Sequence, residues 1–193
     1  MFTDQFATLS PEVRGAVDAY IERRLEEKVA ELARLQREDP SSNRSFRLLL
    51  SKGTLDAVYP PLMMASTAAA MGMETEVFCT QWGLQLLKKR LNLYFDPVGN
   101  PHMPVPLPNL VAVMPGVQAA ATAMFRRMVK EKNVPSVEEL RTLCLESGVR
   151  FTACQLSMEV LGIPSTDLID GIGFGNPGTF VTNAAGARIA MFI

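Results

Sequence analysis

Apolar positions recur at helical spacing along residues 10–38. Val13, Val17, Ile21, Leu25, Val29, Leu32 and Leu35 form one narrow stripe, and the other faces are mostly Glu, Arg and Lys. Ser10-Pro11 opens the segment as N-cap and first helical position. Asp39-Pro40-Ser41-Ser42-Asn43 closes it as a linker. So narrow a stripe suits a helix packed on a partner helix or a solvated helix lying on its own domain. We expect residues 1–45 to be an N-terminal amphipathic helix and linker that serve oligomerisation, with residues 46–193 as a separate domain.

Beyond the linker the pattern changes. Short apolar runs at Phe46–Leu50, Thr75–Cys79, Val149–Ala153 and Arg188–Ile193 predict strands, with a further short strand at Ile172–Phe174 inside a Gly/Pro loop, Gly171–Gly178. Helical spacing fills the intervals. One helix covers Thr54–Met71, with Thr54 as cap and Pro60-Pro61 disturbing its first half. A short amphipathic helix covers Trp82–Leu91 and ends in Lys88-Lys89-Arg90. Val117–Lys132 is helical. Ser136-x-x-Glu139 has the capping-box pattern and opens a helix that ends at Gly148. A short helix runs from Cys154 to Leu161, and Thr166–Ile169 is one turn. The Pro-rich stretch Pro97–Pro108 fits no regular element. Strands alternating with helices predict the α/β class, with a mainly parallel sheet flanked by helices and joined by right-handed crossovers. The strand ends at Leu50, Cys79 and Ala153 then share one rim, where such sheets bind ligands.

Composition narrows the choices. A chain of 193 residues holds one core domain and an appendage. A net charge of −1 argues against nucleic acid as a partner. The single histidine, His102, excludes a site needing two imidazoles and lies in the Pro-rich loop, so no Ser–His–Asp arrangement arises. Three cysteines without a CxxC pair make no disulfide framework. The N-terminus lacks a signal-peptide pattern, so a cytoplasmic, reducing location with free thiols is expected. Two runs, residues 57–73 and 97–125, carry no formal charge and raise the question of membrane association. Their prolines and small polar residues favour buried segments instead, residues 57–73 as a core helix and 97–116 at a subunit contact.

The chemistry centres on the thiols. Cys154 follows a strand and opens a helix, where unpaired N–H groups and the helix dipole favour thiolate over thiol. The competing reading is a buried, inert cysteine. Cys144 shares a helix face with Val137, Leu140 and Leu143, as core packing does, and is otherwise an acceptor or resolving thiol. Cys79 ends a strand on the same rim as Cys154, as a second candidate or as core. Ser51-Lys52-Gly53-Thr54 is a tight turn or an anion cradle without the full phosphate-loop spacing. Gly171-x-Gly173-x-Gly175 is too short for a dinucleotide fingerprint. Lys88-Lys89-Arg90 and Arg126-Arg127 read as solvated helix ends, Trp82 as core or pocket lining, and the many methionines as core or interface packing.

Several stretches together resemble the DsrE/DsrF-like sulfurtransferases, in particular the larger subgroup associated with rhodanese and TusA-type sulfur carriers. They are Ser51-Lys52-Gly53-Thr54-Leu55-Asp56 with Tyr59-Pro60-Pro61, Ala68-Ala69-Ala70-Met71-Gly72-Met73-Glu74, Trp82-Gly83-Leu84, Pro108-Asn109, Met114-Pro115-Gly116, Val134–Leu140, Ala153-Cys154-Gln155, Ile169-Asp170-Gly171 and Phe192-Ile193. The resemblance spans residues 46–193. It implies a homo-oligomer that relays sulfane sulfur as a persulfide or thiosulfonate on Cys154, with Cys144 matching a second cysteine of some members and Cys79 less typical. It implies sulfur donors and acceptors of the TusA-like or rhodanese-like kind. The chain has no Thr-x-x-Cys, so peroxiredoxin activity is not carried over. The resulting expectation is a sulfur carrier or sulfurtransferase working without metal or organic cofactor, with Gln155 and nearby N–H groups stabilising the thiolate. The rivals are a non-catalytic assembly protein and a membrane-associated sulfur-handling subunit.

Overall fold

The structure, a computed structural model, describes residues 11–38, 44–96 and 114–193. The chain divides into two compact units, Met1–Asn43 and Arg44–Ile193. In the first, helix α1 spans Pro11–Glu38. Arg24–Glu27 and Lys28–Glu31 pair along its exposed face at 3.0 and 2.6 Å, the i,i+3 support that a solvated helix surface offers.

The second unit begins with β1 (Ser45–Leu50), α2 (Leu55–Ala70) and β2 (Glu74–Cys79). After a 3-10 turn at Gln81–Leu87 come α3 (Val117–Glu131), α4 (Val137–Glu146), β3 (Arg150–Cys154) and α5 (Gln155–Leu161). A second 3-10 turn at Ser165–Asp167 leads to β4 (Gly173–Gly175), α6 (Pro177–Ala185) and β5 (Ile189–Phe192). The five strands form one sheet in the order β4-β3-β2-β1-β5, and every pairing is parallel. Leu50 pairs with Cys79 and Cys79 with Ala153, so the three expected strand ends share one rim.

Register sorts the side chains by face, because alternate residues of a strand point to opposite sides. Leu48, Leu50, Val77, Cys79, Phe151 and Ala153 join the buried apolar cluster formed with Leu55, Val58 and Leu62 of α2 and with Val137, Leu140 and Cys144 of α4. The opposite face carries Arg47, Glu76, Phe78, Thr152 and Cys154. Helix α6 is fastened there: Phe180 packs on Phe78 with ring centroids 5.4 Å apart, and Asn183 Nδ2 donates to Glu76 Oε2 at 3.0 Å. Glu76 is only 2 % exposed. It also accepts from Thr152 Oγ1 at 2.7 Å and lies 3.5 Å from Arg47 Nε. A buried carboxylate persists only with such partners.

Several local expectations are corrected. Pro60 and Pro61 lie inside α2, which runs unbroken through them. Burial of Tyr59, Pro61 and Leu62 in the core offsets the missing N–H donors. The segment from Trp82 is a 3-10 turn ending at Leu87, not a helix to Leu91. Lys88 is extended there and bridges to Leu168. Close packing enforces this: a Cβ on Gly83 would stand 2.2 Å from Leu50 O. The Gly/Pro loop holds β4 and then α6, a nine-residue helix that the composition hid. Residues 97–113, including the Pro-rich stretch, His102 and most of the expected subunit-contact segment, lie outside the described residues. Among the described residues no helix is long and apolar enough to cross a membrane.

Candidate functional site

Cys154 is the last residue of β3 and the N-cap of α5. Its register partner is Gly175 on β4. On the other side, β2 ends opposite Ala153 at Cys79, so the next residue, Thr80, stands beside Cys154 on the same face. Ser157 is the third residue of α5, the position whose N–H and side chain fold back toward an N-cap. The Thr80 and Ser157 hydroxyls are 2.9 Å apart. Three side chains from two strand ends and a helix turn thus meet at the carboxyl rim.

Cys154 is 1 % exposed. Burial alone would push its thiol up. The hydroxyl and N–H of Ser157, the Thr80 hydroxyl and the Leu156 N–H more than offset that effect and hold the thiol below the ordinary cysteine range. The neutral thiol makes no capping hydrogen bond, so these donors act on the charge that appears on ionisation. Helix α5 has only seven residues, and the nearest donors, rather than a long helix dipole, carry the effect.

The other thiols have the opposite surroundings. Cys79 is fully buried on the α2 side of the sheet, and burial pushes it far up. Cys144 packs between α4 and α2, where its Sγ donates to Leu62 O at 3.4 Å, and burial pushes it up to about 11. Cys144 O accepts from Val149 N just before β3 begins, so this residue sits toward the amino end of the strand that Cys154 closes. The structure therefore brings Cys79 and Cys154 to one rim on opposite faces, and it buries Cys144 on the α2 side of the sheet, in the same apolar cluster as Cys79. Gln155 is exposed and lines a groove of about 700 Å³ with Met158, Glu159, Ile163 and Phe174. It is not among the groups acting on the sulfur.

Thr80 and Ser157 were missed in the sequence. Ser157 had a signal, since Cys154-x-x-Ser157 has the N-cap to N3 spacing of a capping box. Thr80 had none without the strand register. Lys52, Gly53 and Thr54 line a different cavity of about 770 Å³, together with Asp56, Trp82 and Tyr94. A larger one of about 820 Å³, between α2, α3 and α4, includes no cysteine. Among the described residues no cluster of His, Cys, Asp or Glu is arranged to hold a metal ion.

Residues 42–192 match the model of the DsrE/DsrF/DrsH-like family, and the chain belongs to that family. A protein of Allochromatium vinosum named sulfur carrier protein DsrE2 is 42 % identical over 156 residues, covering 78 % of this chain and 98 % of its own length. An uncharacterized Bacillus subtilis protein, YrkE, is 23 % identical over 151 residues, 76 % of this chain and 94 % of its own. Among solved structures, the crystal structure of the ychN protein from E. coli superposes with a TM-score of 0.48 at 11 % identity, over 77 % of this chain and 99 % of that one.

Proposed function

We propose that this member of the DsrE/DsrF/DrsH-like family is a sulfur carrier that holds sulfane sulfur as a persulfide on Cys154. One observation carries the reading. Of the three thiols, Cys154 alone has donors that outweigh burial and favour the thiolate, whereas burial dominates at Cys79 and Cys144 and favours their protonated forms. The thiolate is the attacking species in sulfur exchange. The sulfur-carrier name of the Allochromatium vinosum relative supports the same role.

In the proposed step the Cys154 thiolate attacks the outer sulfur of a donor persulfide, R–S–SH. A bond forms between Cys154 Sγ and that sulfur as the bond to R–S breaks, and R–S⁻ leaves with the electron pair. The products are Cys154–S–SH and R–S⁻, with no net oxidation or reduction. Handover repeats the exchange, with a partner's thiolate attacking the outer sulfur and Cys154 leaving as thiolate. From a thiosulfonate the leaving group is the sulfinate. The donors and acceptors are sulfur-relay proteins of the TusA-like or rhodanese-like kind, and the carrier works in the cytoplasm as a homo-oligomer. The exposure of 1 % at Cys154 favours the rival, an inert buried thiol. The carrier reading requires the rim to open as the donor arrives.

Intact-mass analysis with peptide mapping separates the two. After incubation with glutathione persulfide, the wild-type chain gains one sulfur atom, mapped to Cys154. Cys154→Ser loses the gain while keeping its fold, and Cys79→Ser and Cys144→Ser retain it. A persulfide on Cys79 or Cys144, with Cys154→Ser still loading normally, would overturn the assignment.

A further inference from the structure

We propose that Thr80 and Ser157 are positioning residues, a neutral hydroxyl pair that holds the Cys154 sulfur by hydrogen bonds, first as thiolate and then as persulfide. The proposal rests on the reading of Cys154 as the loading residue and adds a role for two side chains from different elements.

The geometry carries it. The two hydroxyls are hydrogen-bonded at 2.9 Å, and an O–H donates only one hydrogen bond. Whichever hydroxyl donates to its neighbour leaves that neighbour's proton for a third atom. Cys154 stands one rung across from Thr80 and three residues before Ser157, and both hydroxyls act on its sulfur when it ionises. One hydroxyl then donates to sulfur and the other supports it from behind, an arrangement in which each bond strengthens the next. Both hydroxyls stand on fixed backbone. Thr80 N donates to Leu50 O at 2.9 Å, and Thr80 O accepts from Gly83 N at 2.9 Å. Ser157 is buried in the first turn of α5. Donors held in place need no reorganisation when charge appears on sulfur.

Every group found acting on the sulfur is a hydroxyl or a backbone N–H, on β2's end or on α5, and none is a charged side chain. Many reactive thiols draw on a neighbouring Lys, Arg or His⁺. Here the hydroxyl pair and the amides take that part. Two consequences follow. Loss of either hydroxyl weakens the hold on the thiolate, and salt leaves it nearly unchanged, because screening acts on charge pairs.

The test uses the full chain. The ultraviolet thiolate absorbance of the wild type, less that of Cys154→Ser, gives the titration of Cys154 without requiring access to it. Thr80→Val and Ser157→Ala should each move its midpoint upward and slow loading from glutathione persulfide at pH 7 by roughly three- to tenfold. Thr80→Ser and Ser157→Thr restore a hydroxyl and should restore both readouts, which a merely structural role would not require. Wild-type midpoints in both hydroxyl-less variants would overturn the proposal, as would a midpoint that moves strongly with salt. The two readings fail separately. If Cys154→Ser still loads, the carrier assignment falls. If loading needs Cys154 but the hydroxyl-less variants titrate and load as the wild type does, the pair alone falls.

Discussion

At the scale of single residues, three chemically identical thiols are separated by what lies within hydrogen-bond reach. Cys144 is shifted in the opposite direction from Cys154, and its burial has a consequence for stability. Its folded value, about 11, lies above the ordinary value of 9.0 that the unfolded chain keeps. The unfolded chain therefore loses this proton first, and stability falls as pH rises from the unfolded value through the folded one. Cys79 is raised further and acts in the same direction. The loss attributable to Cys144 is about 2 kcal/mol by pH 11. Urea unfolding followed from pH 7 to 11 should show the decline, and Cys144→Ser, which cannot ionise in this range, should flatten part of it. Equal slopes in the two proteins would refute the assignment. Cys154 itself was legible in the sequence as the thiol between a strand and a helix. The parity of Cys79 needed only the strand register, which the sequence does not state: aligned as Cys79 with Ala153, the two candidate thiols point to opposite faces.

At the scale of elements, the sheet, its parallel sense and most helices followed from alternation of apolar runs. The failures have one cause. Where backbone packing rather than side-chain periodicity decides conformation, the pattern is silent. The turn after β2 is 3-10 because Gly83 lies against the Leu50 carbonyl, and α6 was hidden by Gly, Pro, Thr and Asn. Its start was nevertheless encoded. Asn176 caps it, Pro177 takes the first position, and Thr179 completes the reciprocal pair. Helix α6 also covers the polar face of the sheet, and Glu76 is its anchor. Glu76→Ala would strip partners from Thr152 and Asn183 and remove a carboxylate beside the buried Arg47 guanidinium. Breaking a buried pair in this way costs about 3–5 kcal/mol. Urea denaturation should show a midpoint lowered accordingly, with amide exchange rising first in residues 177–185. A loss below about 1 kcal/mol would mean that water, not Glu76, satisfies this face.

At the scale of the whole molecule, large apolar side chains stand open on both units. On the α/β unit, Leu156, Val160, Phe174, Val181, Met191 and Phe192 are exposed, the last at 74 %. On α1, Tyr20, Ile21, Leu25 and Val29 are exposed. Apolar side chains left open in this number mark surfaces of association, and an α1 stripe of this width matches a helix–helix seam. We propose that α1 makes a contact between copies of this chain. Deleting residues 1–40 should then lower the mass found by light scattering while circular dichroism still reports a folded core. The core is expected to survive because its buried cluster and sheet pairings draw on residues from Ser45 onward. The truncated chain should also load sulfur on Cys154, since Thr80, Ser157 and Cys154 lie within residues 80–157. An unchanged mass would refute a role for α1 in assembly. A truncated chain that no longer folds would show that α1 completes the core, and the division at the linker would then be one of chain order only.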